Sequence, residues 1–446
     1  MTYGFLSVLP IILMIILAVI TKRIIEPVII CTLLAFVITD KGNFFFAWCA
    51  GLQEEAANFA YFLLLFGSIG ILIKLLVTSG SIMSFAAWLS KYIKGRKSAL
   101  IVTWLLGIII FADDYINSLG VGTSMRSLTD QYKVSREFLA YTVNSTGAVV
   151  CTLIPMSTWG AFMLTQFEKY PVSGSAMTDY VHAIPYMIYC WAALLVVPLF
   201  IFKIIPLFGK MKTAEGRAAQ GNVFPLEYAP AMAEEAVKRT GRTGSALDFI
   251  LPMLTFVVLG IVWGDLPPAI IIAILVCAVM YLPRKVISLG QFCECLVEGV
   301  KDMVGVMMLL LFVFLLATCC TDMGASEYIQ SVLKPIIIPS LLPLATFIGV
   351  SLLAIGTGSF WGSAAIALPI FLELSNSVGG NAYVIFGAAA SAIALASHIS
   401  FWNDAVAVTC TACEIRQNDY ASTTTPLLAI PIGITLFAYF ILGFVG

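Results

Sequence analysis

Two adjacent carboxylates, Asp113 and Asp114, lie inside a stretch of sequence that is otherwise apolar enough to cross a membrane. They are the only charged residues between Lys97 and Arg126. An acidic side chain at the centre of a membrane helix costs about 2.5–3.5 kcal/mol on insertion scales, and such residues usually serve a function. The pair therefore predicts a site inside the bilayer that holds a metal cation, with both carboxylates as ligands, or a proton.

A purely structural role for this pair would need a cationic partner, and the sequence offers Arg126 and Lys133. At ~1.5 Å per residue, Arg126 would lie roughly 18 Å from Asp114 along a continuous helix. Such pairing would require the chain to fold back, so the functional interpretation is the stronger one.

The composition of the chain is that of a membrane protein. Of its 446 residues, 60% are hydrophobic and 11% are charged, and the mean hydropathy is +0.99. A soluble domain carries about 25% charged residues, and the strands of outer-membrane barrels alternate polar and apolar residues. We therefore predict an all-α polytopic protein of a bacterial-type inner membrane, with the lipid bilayer as its partner. The net charge of −1 indicates no nucleic-acid partner.

Motifs for cofactor chemistry are missing from the sequence. The eleven cysteines are scattered, and Cys410 and Cys413 form a single CxxC with no second pair nearby. There is no Walker loop, no GxGxxG after a strand and no haem-type CxxCH, and no nucleophile–base set is evident. We expect no cofactor, no ATP-driven pumping and no enzymatic activity, with Na⁺ as a possible coupling ion.

Hydropathy predicts twelve membrane spans, and four of them are interrupted. Each uninterrupted run is close to the ~20 residues that cross a bilayer. They lie near residues 5–21, 24–39, 57–78, 98–128 (interrupted), 138–166 (interrupted), 181–205, 247–263, 268–282, 303–320, 339–372 (interrupted), 381–412 (interrupted) and 424–445. The first has no basic segment before it and no small-residue cleavage site after it, so we interpret it as a retained span. The amphipathic segment Ser81–Ile93, and more weakly Val286–Val300, are predicted to lie along the membrane face.

A long polar segment, residues 206–245, divides the chain into two predicted repeats, 1–205 and 246–446. Its six lysines and arginines predict a cytoplasmic linker. The motifs Ser157-Thr-Trp159 and Ser400-Phe-Trp402 are 243 positions apart (400 − 157), and the same offset places the first span on residues 248–264. The charges that flank the spans then swap sides, because Lys22-Arg23 corresponds to Asp265-Leu266. The second half is therefore predicted to be inserted upside down, as in the inverted repeats of secondary transporters.

The four interruptions place Gly, Ser, Thr, Asn or Pro inside apolar runs, which frees backbone groups at membrane depth. Unwound carbonyls and carboxylates suit Na⁺, and the N-termini of half-helices suit an anionic substrate group. The predicted cation or proton ligands are Asp113, Asp114, Asn117, Asn144, Thr146 and Asp404. The residues predicted to line a substrate site are Ser118, Ser145, Ser157, Thr158, Trp159, Thr357, Ser359, Trp361, His398, Ser400 and Asn403.

Two of these assignments keep an alternative. His398 could be a neutral histidine bonded to a carbonyl or, near Asp404, a proton carrier, because an unperturbed histidine titrates close to physiological pH. For Trp159, Trp361 and Trp402, simple packing is the plainer interpretation of each residue taken alone.

The segments Ala112–Arg126, Ser135–Tyr141 and Pro155–Gly160 resemble the NhaC-type sodium/proton antiporter family. In the second half, Gly356–Gly362 is similar to the family's glycine- and threonine-rich break, and His398 to Asp404 is similar to its His-x-Ser…Asp element. The resemblance covers roughly residues 60–430. It implies the ion-transporter superfamily, with an inverted repeat, a scaffold domain, a moving transport domain and a homodimer.

Some positions depart from this family pattern. Asn144 and Ser397 stand where the family usually has aspartates, and Val149 stands where it usually has proline. The loss of two carboxylates weakens plain exchange of Na⁺ for H⁺, and the added aromatic residues would suit an organic substrate. The leading hypothesis is a Na⁺/H⁺ antiporter, and the alternative is Na⁺- or H⁺-coupled transport of an amino acid or small organic acid. A passive channel is a third class, which paired broken helices favour less than alternating access.

Overall fold

A computed structural model of the chain describes residues 3–21, 25–169, 171–225, 245–325, 328, 331–332, 338–357, 360–400 and 403–445. The regular elements of these residues are all helical. The helices of the first half are α1 (Phe5–Thr21), α2 (Ile25–Asp40), α3 (Phe44–Asn58), α4 (Ala60–Thr78), α5 (Ser81–Ser90), α6 (Arg96–Ile109), α7 (Asp114–Gln131), α8 (Arg136–Asn144), α9 (Ala148–Leu153), α10 (Thr158–Lys169), α11 (Ala176–Ala183) and α12 (Ile188–Ile201). Then come α13 (Gly209–Ala219), α14 (Leu247–Trp263), α15 (Leu266–Tyr281), α16 (Leu289–Asp322), α17 (Leu342–Thr357), α18 (Phe360–Val378), α19 (Ala382–Ile399), α20 (Asp404–Cys413) and α21 (Gln417–Val445).

The prediction of an all-α polytopic membrane protein is confirmed. Among the described residues, seven helical stretches are long and apolar enough to cross a membrane, and a pair bent by 53°, Ala176–Tyr186 with Ile188–Ile201, would make eight. Fewer stretches pass this test than the twelve predicted spans. Three predicted spans are shorter apolar helices, and the span predicted at 98–128 is split into α6 and α7.

The order of helices in the first half recurs in the second half with a nearly constant offset. The helices α17, α18, α19 and α20 begin at 342, 360, 382 and 404, each 246 positions after the starts of α6, α7, α8 and α10 at 96, 114, 136 and 158. For these four helices the offset is 246 and not the 243 positions of the Ser-x-Trp motifs, so Ser157 corresponds to Asn403, whereas α1 and α14 begin 242 positions apart. The upside-down insertion of the second half stays a prediction, and Lys22 and Arg23 lie outside the described residues.

Helix breaks lie where polar residues and glycines interrupt the apolar runs. The chain leaves helical geometry between α6 and α7, twice between α8 and α10, and between α19 and α20. Helix α17 ends at Thr357 and α18 begins at Phe360, and Gly358 and Ser359, the predicted break between them, lie outside the described part of the chain. The first half therefore has one break more than its counterpart, because Asn144–Gly147 divides α8 from α9 while α19 is continuous.

The central helix of the second half is α19, in which every residue from Val384 to His398 is buried. It packs against α17 and α18 and also contacts α9, α11, α12 and α21. The long helix α16 packs against α4 and α2. The broken helices α7 and α20 pack against each other, so the breaks of the two halves meet in the interior.

Two segments predicted to lie outside the membrane contain helices. Most of Val286–Val300, predicted to lie along the membrane face, forms the start of the 34-residue helix Leu289–Asp322. Its start is fixed by a capping box between Ser288 and Gln291, which satisfies amides at the helix N-terminus. In the polar segment 206–245, α13 packs against α8 and α21.

Candidate functional site

The acidic break between α6 and α7 is built around Asp113 as the N-cap of α7. Its backbone is extended (φ −158°, ψ 141°), and its Oδ1 accepts the backbone N–H groups of Tyr115 at 3.0 Å and Ile116 at 3.2 Å. An N-cap carboxylate satisfies amides that have no partner within the helix, and it lies at the positive end of the helix dipole. The break therefore holds a carboxyl group at the start of a half-helix.

The second oxygen of this carboxylate connects the break to another broken helix. The hydroxyl of Thr158, the first residue of α10, donates to Asp113 Oδ2 at 3.0 Å. The backbone N–H of Thr158 donates to the carbonyl of Ala112 at 3.0 Å. The start of α10 is capped by Ser157, whose Oγ accepts the N–H of Gly160 at 2.8 Å. The starts of α7 and α10 are thus joined by side-chain and backbone bonds.

Asp113 and Thr158 also line a cavity of about 830 Å³, which we call the Asp113 cavity. Trp361 of α18 lines it too, as do Lys74 of α4 and Asp302 of α16, which form an ion pair at 2.9 Å. Its other lining residues are Ile25, Glu26, Gly70, Ile73, Val77, Tyr115, Ile116, Met303, Gly305, Val306 and Leu309. Asp113 itself is 6% exposed, so its carboxylate is held by the protein and still borders open space.

Asp114 and Asn117 lie deeper in the protein and do not line this cavity. The Asn117 amide donates to the carbonyls of Gly107 at 2.5 Å, Ile110 at 2.9 Å and Thr146 at 3.3 Å. Asn117 therefore fastens the end of α6 and the break after α8 to α7. Its Oδ1 is buried and has no hydrogen-bond partner among the described residues, which leaves a carbonyl oxygen free for a ligand.

A chain of polar side chains crosses from α7 to the second half. Thr409 of α20 donates to Ser118 Oγ at 2.9 Å and contacts Asn144 Oδ1 at 3.4 Å. The Asn144 amide donates to the hydroxyl of Tyr420 at 2.6 Å, and this hydroxyl donates to the carbonyl of His398 at 3.0 Å. These buried groups join the breaks of the two halves.

His398 is bonded through both ring nitrogens. Nε2 lies 3.1 Å from Ser145 Oγ and Nδ1 lies 3.0 Å from the hydroxyl of Tyr189, while the ring stacks on Tyr141 at 6.0 Å. The carbonyl partner expected for a neutral histidine is thus replaced by two hydroxyls. The proposed neighbour Asp404 begins α20, and its side chain lies outside the described part of the chain.

The remaining predicted residues of the second half lie at its two breaks. Thr357 Oγ1 and Ser363 Oγ are 2.9 Å apart across the first break. Asn403 caps α20, because its Oδ1 accepts the N–H of Ala405 at 2.7 Å. Ser400 Oγ and Asn403 Nδ2 are buried without hydrogen-bond partners within the ranges that the structure describes. Ser359 and Trp402 lie outside those ranges.

Trp159 and Trp361 pack against each other, in line with the simple packing role considered for each of them. Trp159 contacts Phe360 with ring centroids 4.6 Å apart and Trp361 at 5.3 Å, both in tilted arrangements. Trp159 is fully buried, whereas Trp361 is half-buried and lines the Asp113 cavity. The two tryptophans join the start of α10 to the start of α18.

The structure thus sorts the predicted residues into two groups. Asp113, Thr158 and Trp361 border the cavity, whereas Asn117, Thr146, Ser118, Asn144, Ser145 and His398 form the buried polar interior. Among the described residues, no group of three His, Cys, Asp or Glu side chains could hold a metal ion. A Na⁺ site here would have to use carbonyl and hydroxyl oxygens beside a carboxylate.

Three residues of the interior were missed by sequence reasoning. Thr409, a polar residue within the interrupted run 381–412, carried a signal that could have identified it. Tyr189 and Tyr420 are single tyrosines in helices from other parts of the chain, and nothing in the sequence marks them. Arg126, weighed as a partner for the aspartates, pairs with Glu414 at 2.6 Å.

Three comparisons place the chain among known proteins. It is 26% identical, over 489 aligned positions, to an uncharacterized protein of Haemophilus influenzae, across 98% of this chain and 91% of that protein. The crystal structure of the Alcanivorax borkumensis YdaH transporter has a TM-score of 0.61 at 12% identity, over 90% of this chain and 89% of that one. The Neisseria gonorrhoeae protein MtrF, described as illuminating a class of antimetabolite efflux pumps, has a TM-score of 0.52 at 12% identity, over 90% and 84%.

The structural likenesses show the fold alone. The sequence pattern of the Na⁺/H⁺ antiporter family matches residues 172–444, which is more than half of the chain and begins after Asp113 and Thr158. The resemblance to sodium/proton antiporters is thereby confirmed, and the protein is a multi-pass membrane transporter and not an enzyme. The chain belongs to the Na⁺/H⁺ antiporter family.

Proposed function

We propose that this protein is a secondary active transporter that exchanges a cation for protons, with Asp113 as the carboxylate that binds either one. The observation that carries the proposal is the position of Asp113, which borders an open cavity and is bonded to the starts of two half-helices. A carboxylate that can hold a cation or a proton, but not both, couples their movements in opposite directions. The hydroxyl of Thr158 supplies a further oxygen when the cation displaces its hydrogen bond.

The buried interior supplies the second part of the proposed site. Asp114 and Asn117 are three residues apart on α7, so their side chains lie on one face of the helix. Asn117 offers its buried Oδ1, and the unwound segments offer backbone carbonyls, which coordinate Na⁺ in transporters with broken helices. We propose Asp114, Asn117 and the break at Asn144–Gly147 as the inner end of the cation path.

The test is proton flux in liposomes that carry an internal pH dye, started by adding Na⁺. Asp113→Asn should abolish the Na⁺-dependent flux, because the amide keeps the shape of the side chain but cannot bind a proton. The same flux in the wild type and in Asp113→Asn would overturn the proposal.

Asp179 provides a matched control. Its carboxylate accepts the N–H groups of Val172 and Ser173 and the hydroxyl of Tyr383, a bonding pattern like that of Asp113, but it does not line the Asp113 cavity. Asp179→Asn should lower the stability of the protein about as much as Asp113→Asn does. The Na⁺-dependent proton flux should remain. Loss of flux in both variants would attribute the effect to structure and count against Asp113 as the binding group.

The topology belongs to the same proposal. We place the protein in a bacterial-type inner membrane as a homodimer, with residues 206–245 in the cytoplasm. Lys210 and Lys212 are exposed on α13 and would be cut by trypsin in inside-out vesicles and spared in right-side-out vesicles. The reverse pattern would contradict the orientation, and a monomer in detergent by light scattering would contradict the dimer.

A second function, cation-coupled transport of an organic substrate, is favoured by one observation. The Asp113 cavity is far larger than a dehydrated ion, since one water takes ~30 Å³ in the liquid and the cavity measures about 830 Å³.

A further inference from the structure

We infer that the Asp113 cavity binds an organic ammonium ion with an apolar body, its charged end at Asp113 and its body against Trp361. This inference rests on the proposed role of Asp113 as a cation ligand. It goes further by naming a class of ligand.

The size of the cavity sets the first constraint. Pockets for small organic molecules measure ~300–1,000 Å³ and are mostly apolar, with a few polar groups that fix the orientation. The Asp113 cavity, at about 830 Å³, lies in this range. Its polar groups, Asp113 and Thr158, belong to α7 and α10, while Ile73, Val77, Val306 and Leu309 supply apolar walls from α4 and α16.

The charge of the lining sets the second constraint. Among the described residues that line the cavity, Lys74 is bonded to Asp302 at 2.9 Å, so the charges of these two groups compensate each other. Asp113 accepts its hydrogen bonds from the neutral donors of Tyr115, Ile116 and Thr158. A carboxylate that borders the cavity and is bonded to neutral donors favours a cation and disfavours an organic acid. Among organic substrates, the geometry therefore points to an amine and away from a carboxylate.

Trp361 supplies the third constraint. Its ring is held by Trp159 at 5.3 Å and by Phe162 in an edge contact at 5.0 Å, with an interplanar angle of 74°. A tryptophan fixed in this way at a cavity wall offers both apolar surface and the negative face that attracts a cation. An inorganic cation needs neither a fixed indole nor walls of aliphatic side chains, and an organic ammonium ion uses both.

The test uses the full-length protein in detergent and two probes of similar size, 2-phenylethylammonium and 3-phenylpropionate. Thermal unfolding is followed at increasing probe concentration and constant ionic strength. The ammonium probe should raise the melting temperature in a saturable way, and the carboxylate should not. Equal shifts with both probes, or no shift with either, would overturn the inference.

Variants assign the effect to the cavity. Asp113→Asn should abolish the shift, and Trp361→Leu should weaken binding about tenfold, which corresponds to ~1.4 kcal/mol. Trp361→Phe should retain part of the affinity and guards against misfolding of the leucine variant. Trp88→Leu is the matched control, because Trp88 is exposed on α5 and does not line the cavity. Unchanged affinity in Asp113→Asn would overturn the assignment.

This outcome is separable from that of the proposed exchange. A wild-type protein that moves protons in response to Na⁺ but binds no 2-phenylethylammonium would contradict the inference and keep the exchange. A protein that binds the ammonium probe through Asp113 but shows no Na⁺-dependent flux would keep the inference and contradict the exchange.

Discussion

Thr158 donates its hydroxyl hydrogen to Asp113 Oδ2 at 3.0 Å, although the two residues are 45 positions apart and begin different half-helices. The backbone N–H of Thr158 adds a second bond to the carbonyl of Ala112. This pair of bonds means that α10 cannot move relative to the start of α7 without changing the surroundings of the carboxylate. Under the proposed function, cation binding at Asp113 would therefore be coupled to the position of α10 by direct contact.

Replacing Thr158 with valine removes the hydroxyl and keeps the shape of the side chain. A hydrogen bond to a charged group contributes ~1.5–3 kcal/mol, so we expect the Na⁺ concentration for half-maximal proton flux to change by about tenfold or more. Thr152→Val is the control, since the Thr152 hydroxyl donates to the carbonyl of Ala148 in its own helix and not to a carboxylate. An unchanged Na⁺ dependence in Thr158→Val would exclude Thr158 from the site.

Replacing Asn117 with an apolar residue should destabilise the buried polar interior. Its Nδ2 serves three carbonyls from α6 and from the break after α8. In Asn117→Leu these buried carbonyls lose their donor, at ~1–3 kcal/mol for each group left unsatisfied. We expect a clear fall in melting temperature and loss of flux. Asn43→Asp, at an exposed position before α3 where the side chain makes no cap bond, should be near neutral, and equal melting temperatures would show that the interior tolerates the loss.

The sequence was sufficient to predict the helices and most of their breaks. The bounds of α1 and α14 match the predicted spans 5–21 and 247–263. An apolar run of that length satisfies its backbone hydrogen bonds inside a bilayer by forming a helix. The breaks at Asp113 and Ser157 were predictable for a related reason, since polar side chains and glycines in an apolar run mark unwound backbone.

The contacts of the site could not be derived in the same way. The capping role of Asp113 and its bond to Thr158 depend on how two half-helices cross, which no local pattern contains. His398 bonds Ser145 and Tyr189, which are 253 and 209 positions away. The offset of the Ser-x-Trp motifs differs from that of the helix starts around the site, where the caps place Ser157 opposite Asn403.

Gly70 of α4 and Gly299 of α16 lie at a close approach of the two helix backbones. A Cβ on Gly70 would clash with the carbonyl of Gly299, and a Cβ on Gly299 would lie 2.6 Å from the carbonyl of Gly70. Small residues let membrane helices approach closely, so Gly70→Ala should lower the melting temperature and the yield of folded protein. Gly305→Ala, on the same helix α16 but facing open space, should be tolerated. Equal stability of both variants would mean that the two helices separate readily.

Arg136 anchors the base of the two broken helices that pack together. It donates to both oxygens of Asp130 at 2.6 Å, to the carbonyl of Cys413 at 3.0 Å and to Glu414 at 3.2 Å, and it is 4% exposed. Removing one partner of a buried ion pair costs ~3–5 kcal/mol, because the remaining charges stay buried. Arg136→Gln should therefore break the contact between the ends of α7 and α20 and strongly reduce the melting temperature.

The matched control for this prediction is Arg416→Gln. Arg416 pairs with Asp419 at 2.8 Å, but its side chain is 47% exposed, and exposed ion pairs contribute ~0–1 kcal/mol. The difference between the two variants measures what burial adds to the same chemistry. If Arg136→Gln melts within a degree or two of Arg416→Gln, the Asp130–Arg136–Glu414 cluster would be solvated in the membrane-embedded protein, and α7 and α20 would have to be held together by their apolar contacts.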